Sequence, residues 1–331
     1  MIRFTVPPLL ALSALLALVV GLQALAAAAE PLTLDVKKLP LNPENAAQTS
    51  VGPLVWRGSL EISSSDRRFG GLSGLLIERD GRGLLANSDS GHWISARLKL
   101  DDRGFLEGLE AAEIGALQDS DGRPLISKRA GDAEALARLP DGTTLVAFEQ
   151  AHRIWRYPAG KAPLARPPQA YPAPPGVDRL QSNGGLEAVT ELPRGGLLAL
   201  VEENSDSPTL PGFLWQNGKW AELALTRIGP YRPTGAATLP SGDVLVLERR
   251  FSFIGGLGIK LRRLPLAKIK PGATLEGEVV AELHPPLIYD NMEGIAALEE
   301  PGGGVWIYLI ADDNFNPTQR TVLMSFLLPG E

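Results

Sequence analysis

The sequence predicts an all-β fold, a single β-propeller of four-stranded blades, and three observations carry that prediction. Breakers are frequent: 36 glycines and 28 prolines in 331 residues make about 19% of the chain against ~12% in an ordinary protein. They punctuate it too often for a helical bundle or coiled coil. One hairpin pattern recurs five times between residues 73 and 312. The second strand of each hairpin is apolar on both faces, so it belongs between packed sheets rather than at a surface.

The elements follow in chain order. Residues 1–29 read as a secretory signal: Arg3 is their one charge, an apolar run extends from Leu9 to Leu22, and small residues fill Ala24 to Ala29. A basic start, an apolar stretch and a small-residue end are what a signal peptidase substrate requires. A retained membrane anchor is the competing reading, since the run approaches ~20 residues. The alanine-rich end and the lack of a basic flank favour cleavage. Residues 30–331 then form one domain, exported to a bacterial periplasm or secreted, with no membrane contact once the signal is removed. Leu54 to Ile62 is a strand ahead of the first hairpin.

The hairpins open at Ser73, Glu134, Glu187, Thr234 and Glu293, so successive openings lie 61, 53, 47 and 59 residues apart. In the first four, a turn glycine (Gly81, Gly142, Gly195, Gly242) stands eight residues after the opening residue. Pro-X-Gly at three of these turns presets φ and accepts a positive φ. The spacing leaves room for four strands per unit, a propeller signature. Ile259 to Leu264 and Glu278 to Leu283 supply the third and fourth strands of unit four. Unit five ends one strand short at Leu327, and Leu54 to Ile62 fills that gap and closes the ring. Five repeats are detected; Asp101 to Ala130 has length for a sixth blade. Tyr157 to Gly176, with seven prolines, reads as an extended surface excursion between blades.

Composition excludes several chemistries. With 38 acidic against 32 basic residues and a net charge of −6, the chain lacks the basic face of a nucleic-acid binder. With no cysteine there is no disulfide, thiolate catalyst or Cys-based zinc site. No G-x-S-x-G elbow, P-loop or H-E-x-x-H is present.

Carboxylates carry the remaining signal. The start of a hairpin's first strand lies beside the end of its second. Glu134, Glu187 and Glu293 therefore share an end with Asp89, Glu149, Glu202, Glu203, Glu248, Asp312 and Asp313, and the innermost strand of a propeller lines the channel. Crowded carboxylates repel, and a hard divalent cation, calcium best, relieves them. The metal candidates are Glu134, Glu187, Glu293, Asp312 and Asp313; capping a turn or pairing with arginine is the alternative for each. Asp312-Asp313-Asn314-Phe315-Asn316 starts like an EF-hand loop, but Pro317 and Leu323 replace its glycine and bidentate glutamate. Asp89 and His92 are candidate base residues. Arg249, Arg250 and Arg320 are candidates for holding an anionic group bidentately.

Five phrases resemble the bacterial phytase-like family described by an esterase-like activity of phytase. They are Phe69-Gly70-Gly71-Leu72-Ser73-Gly74-Leu75 with Ser88-Asp89-Ser90-Gly91; Asp132-Ala133-Glu134-Ala135-Leu136; Asn183-Gly184-Gly185-Leu186-Glu187-Ala188; Glu248-Arg249-Arg250-Phe251-Ser252; and Asp290-Asn291-Met292-Glu293-Gly294-Ile295 with Asp312 to Thr321. The resemblance implies an exported propeller with hydrolase activity. The expectation is a calcium-dependent hydrolase of a small anionic ester or phosphoester, monomeric, acting at the acidic channel mouth. A metal-stapled binding propeller without catalysis is the alternative, and a lactonase-type hydrolase a third reading.

Overall fold

The computed structural model describes residues 29–160, 162–203, 205–252 and 255–330. The proposed signal, but for Ala29, lies outside them. Five antiparallel sheets form five blades. From channel to rim, blade 1 is Leu72–Ile77, Gly83–Ser88, His92–Leu100 and Leu106–Ala116. Blade 2 is Ala133–Arg138, Thr144–Phe148, Arg153–Tyr157 and Gln169–Tyr171. Blade 3 is Leu186–Leu192, Gly196–Val201, Thr209–Gln216 and Lys219–Thr226. Blade 4 is Arg232–Thr238, Val244–Ser252, Gly256–Leu264 and Glu278–Leu283. Blade 5 takes Met292–Glu299, Val305–Ala311 and Thr321–Leu328 from the C-terminal end. Its fourth strand is Leu54–Ser63, which pairs antiparallel with Thr321–Leu328 as the sequence predicts.

The blade interfaces are the core. Buried apolar side chains fall into five clusters, one between each pair of adjacent blades. The doubly apolar second strands lie inside these layers: Leu197, Leu198, Ala199, Leu200 and Val201 are all buried. The inner strands pack side by side in a closed cycle. Where they converge only small residues fit. A Cβ on Gly235 would stand 2.6 Å from the Glu293 carbonyl oxygen, and one on Gly294 2.8 Å from that of Ser73.

Two expectations are refined. Residues 101–130 hold no sixth blade, because Leu106–Ala116 is the fourth strand of blade 1 and the remainder contributes a single Gln118–Pro124 bridge and the start of the single-turn helix Lys128–Gly131. The proline-rich segment is more than an excursion. It supplies the outer strand of blade 2, and the Pro172 carbonyl accepts the Trp220 indole N–H at 2.8 Å.

Leu60 is fully buried on the closing strand, opposite Leu323. Leu60→Ala should lower stability in urea by about 2–5 kcal/mol, the cost of a core truncation. A loss well under ~1 kcal/mol would mean the closing strand is frayed.

Candidate functional site

Each inner strand carries one β-bulge, and the residue it leaves out of the ladder is the opening residue of the repeat. The register skips Ser73, Glu134, Glu187, Thr234 and Glu293 in turn. A bulge re-aims its extra side chain, and here all five line the central channel. A second ring follows from the same register. Ser88, Phe148, Val201, Glu248 and Ala311 pair with the strand starts, so the next residue of each second strand is Asp89, Glu149, Glu202, Arg249 or Asp312. In blade 4 that position belongs to Arg249 and not to Glu248. Alternation turns Glu248 to the other face, where it is fully buried with Arg262 Nη2 2.5 Å from its Oε1.

The two rings meet in a mouth cavity of about 340 Å³. Seven carboxylates line it (Asp89, Glu134, Glu149, Glu187, Glu202, Glu293 and Asp312), with Lys128 and Arg249 as its cations and Ser73, Asn183 and Asn314 as neutral groups. Asp132, fully buried at the edge, completes a cluster with Glu134 and Glu149 in which one oxygen of each lies within 4.8 Å of the others. Lys128 Nζ stands 2.6 Å from Asp89 Oδ2 and 2.5 Å from Asp132 Oδ1. Gln150 Nε2 donates to the other Asp132 oxygen at 2.7 Å. Arg249 lies 3.4 Å from Glu202 and 3.3 Å from Glu293. Asp89 Oδ1 is buried and has no hydrogen-bond partner among the described residues.

Burial, with repulsion between neighbouring carboxylates, raises the pKa of Asp89, Glu134, Glu149, Glu187, Glu293 and Asp312 above the usual carboxylate range. Burial, then the neighbouring Asp132, pushes Glu134 well up; burial, then Glu134 and Glu202, does the same to Glu187. Burial raises Glu149 to about 7 against a hydrogen bond with Glu187. It raises Glu293 to about 8 despite Arg249, and Asp312 to about 7 although the Asn314 N–H donates to it.

The fold therefore brings together Glu134, Glu187, Glu293, Asp312, Asp89 and Arg249. Four residues singled out in the sequence lie outside the cavity lining. Asp313 is engaged within its loop: Oδ1 accepts the N–H groups of Gly71 at 3.0 Å and Phe315 at 3.1 Å, and Oδ2 the Thr321 hydroxyl at 3.1 Å. Arg250 donates to the Tyr231 hydroxyl at 2.9 Å and the Gly255 carbonyl at 3.1 Å. Arg320 stands 3.4 Å from Asp290 and 3.7 Å from Glu61. His92 Nδ1 is 3.0 Å from Ser90 Oγ, and burial lowers its pKa. The histidine beside the acidic rings is instead His152. A Cβ on Gly185 would lie 3.1 Å from His152 Nδ1 and 3.2 Å from Glu149 Cγ. Lys128 was not singled out in the sequence, and Asp132 stood there only within a family phrase, with no role assigned. Lys128 opens the single helical turn capped by Ser127, and Asp132 is its C-cap.

The phytase-like family model, described as "Esterase-like activity of phytase", matches residues 67–315. The chain belongs to this phytase-like family. No curated protein sequence matches it. Among solved structures it is similar to the gluconolactonase XC5397 from Xanthomonas campestris, at 14% identity and a TM-score of 0.41 over 92% of this chain and 99% of that one. It is also similar to a protein of unknown function from Dyadobacter fermentans, at 13% identity and a TM-score of 0.43 over 91% and 93% of the two chains. A third is virginiamycin B lyase from Staphylococcus aureus, at 13% identity and 0.39 over 84% and 85%. Likeness at this level carries nothing about the chemistry of the phytase-like site.

The raised carboxyls set a pH dependence. From the ordinary value of 4.5 up to about 8 the folded state binds more protons than the unfolded one, so stability falls as pH rises through that window. In EDTA, unfolding free energy should drop by on the order of a few kcal/mol between pH 5.5 and 8. Urea midpoints that stay flat or rise across that interval would show the acids paired and ionised.

Proposed function

We propose that this phytase-like propeller is an exported, calcium-dependent hydrolase of ester or phosphoester bonds that works at the acidic mouth of its channel. The carrying observation is the imbalance in the cavity, seven carboxylates against two cations, with three acidic oxygens of Asp132, Glu134 and Glu149 converging within 4.8 Å. The donor set fits a hard cation. Every converging group is a carboxylate oxygen, the chemistry calcium prefers over the nitrogen and sulfur ligands of zinc or copper. The orphaned Asp89 Oδ1 beside the cluster offers a further acceptor. Asp132, Glu134 and Glu149 would hold the ion.

When bound there, a divalent cation supplies Lewis-acid polarisation of a substrate oxygen and makes water more acidic. The chain's own residues do the rest. Arg249, held between Glu202 and Glu293, presents a guanidinium to an anionic group on the substrate. Glu293, outside the three proposed ligands and with its pKa raised to about 8, can give or take a proton at working pH, as general acid–base catalysis requires. Asn183 and Asn314 offer neutral hydrogen bonds at the same wall. The leader proposed for residues 1–29 directs the chain out of the cytoplasm, and the substrate is a small molecule.

Calcium at a hundred times its dissociation constant adds about 2.7 kcal/mol, roughly 5 °C in midpoint for a domain of this size. The wild type should show that rise over EDTA and hydrolyse members of a p-nitrophenyl ester and phosphoester panel. Glu134→Gln should melt higher than wild type in EDTA at pH 8, because the cost of burying a carboxyl whose pKa is raised is gone, and should lose most of the calcium shift. A calcium shift without turnover of any substrate would make the protein a cation-stapled binding propeller; no shift in metal-free wild type would reject the cation site.

A further inference from the structure

We propose that the substrate is amphipathic: its ester or phosphoester group enters the acidic cavity while an alkyl or aryl group lies across an apolar rim formed by Ile126, Phe251 and Phe315. This rests on the hydrolase reading above and narrows its substrate class. The large hydrophobic side chains that stand most exposed among the described residues are these three, at 82%, 67% and 47%. Single exposed apolar residues need no explanation, but these three each flank the lining of the same cavity. All three lie within two residues of its lining. Ile126 is two residues before Lys128, Phe251 two after Arg249, and Phe315 next to Asn314, each neighbour a cavity-lining residue.

Phe315 is held in place deliberately. Asn314 and Phe315 both have left-handed backbones, φ 48° and 49°, a conformation bulky residues avoid. The loop keeps them there with N–H bonds to Asp312 at 2.6 Å and Asp313 at 3.1 Å. The ring rests on Gly70 and Gly71, where a Cβ would come within 2.9 and 2.7 Å of it, and on Gly71 also within 2.1 Å of Asp89 Oδ1. Strain maintained beside a cavity is a mark of function. A highly charged polyanion would need several cations aimed at it. Lys128 and Arg249 are each shared between two carboxylates, and Arg250 and Arg320 are turned to internal partners.

Calorimetric titration of the calcium-loaded protein with octylphosphonate and methylphosphonate tests the rim without requiring turnover. Octylphosphonate should bind at least about tenfold more tightly, since each buried methylene favours binding. Ile126→Ser and Phe315→Asn, the latter tolerant of a positive φ, should each cut that ratio by roughly threefold or more. Equal affinities, or binding of neither compound, would overturn the proposal. So would equal affinities together with sedimentation on phosphatidylcholine vesicles that the two variants abolish, which would make the rim a membrane-docking surface. Octylphosphonate binding with no turnover of any member of the ester and phosphoester panel, p-nitrophenyl octanoate included, would instead reject the hydrolase reading and leave the rim assignment standing.

Discussion

Five inner strands meet around one axis, and the bulged residue at the head of each has only their shared space to enter. Three of those residues are glutamates, and the ring above them adds four more carboxylates. Packing alone would place polar or small residues there, as Ser73 and Thr234 do in blades 1 and 4. The remaining blades set like charges side by side in a buried cavity, where each disfavours ionisation of the next. That crowding is a standing cost to the fold, and structures retain such a cost where a ligand relieves it.

The rest of the molecule holds this arrangement rigid. Gly235 and Gly294 let neighbouring inner strands approach until the carboxylates crowd. Five apolar layers fix the blades, and the Leu54–Ser63 strand ties the first part of the chain into the last blade, so the ring cannot open without breaking a core sheet. Arg249 and Lys128 offset part of the charge, yet each sits between two acids and leaves most of the cavity uncompensated. On the outer side of that cavity the Asp312–Phe315 loop does double service, with Asp312 facing in and Phe315 facing out.

Much of this was legible in the sequence because a repeat is a register. Opening residues spaced a fixed distance before a turn glycine identified the channel positions, and the missing strand of unit five pointed to Leu54 to Ile62. What escaped depended on contacts between units. The bulge between Pro233 and Gly235 decides that Arg249, not Glu248, faces the mouth, and three consecutive charges at Glu248-Arg249-Arg250 conceal that choice. Asp313 looked like a ligand by composition, but its oxygens serve Gly71, Phe315 and Thr321. Lys128 and Asp132 come from the link between blades 1 and 2, where no periodicity marks them.

The central claim is that the buried carboxyls hold protons which a cation displaces. Titrating calcium into metal-free protein at pH 7, in buffers of different ionisation enthalpy, counts the protons released for each ion bound. Saturable binding with release of about one proton or more is the predicted result, because ligand carboxyls must deprotonate to coordinate. Binding with no proton release, or no binding at all, would contradict the account.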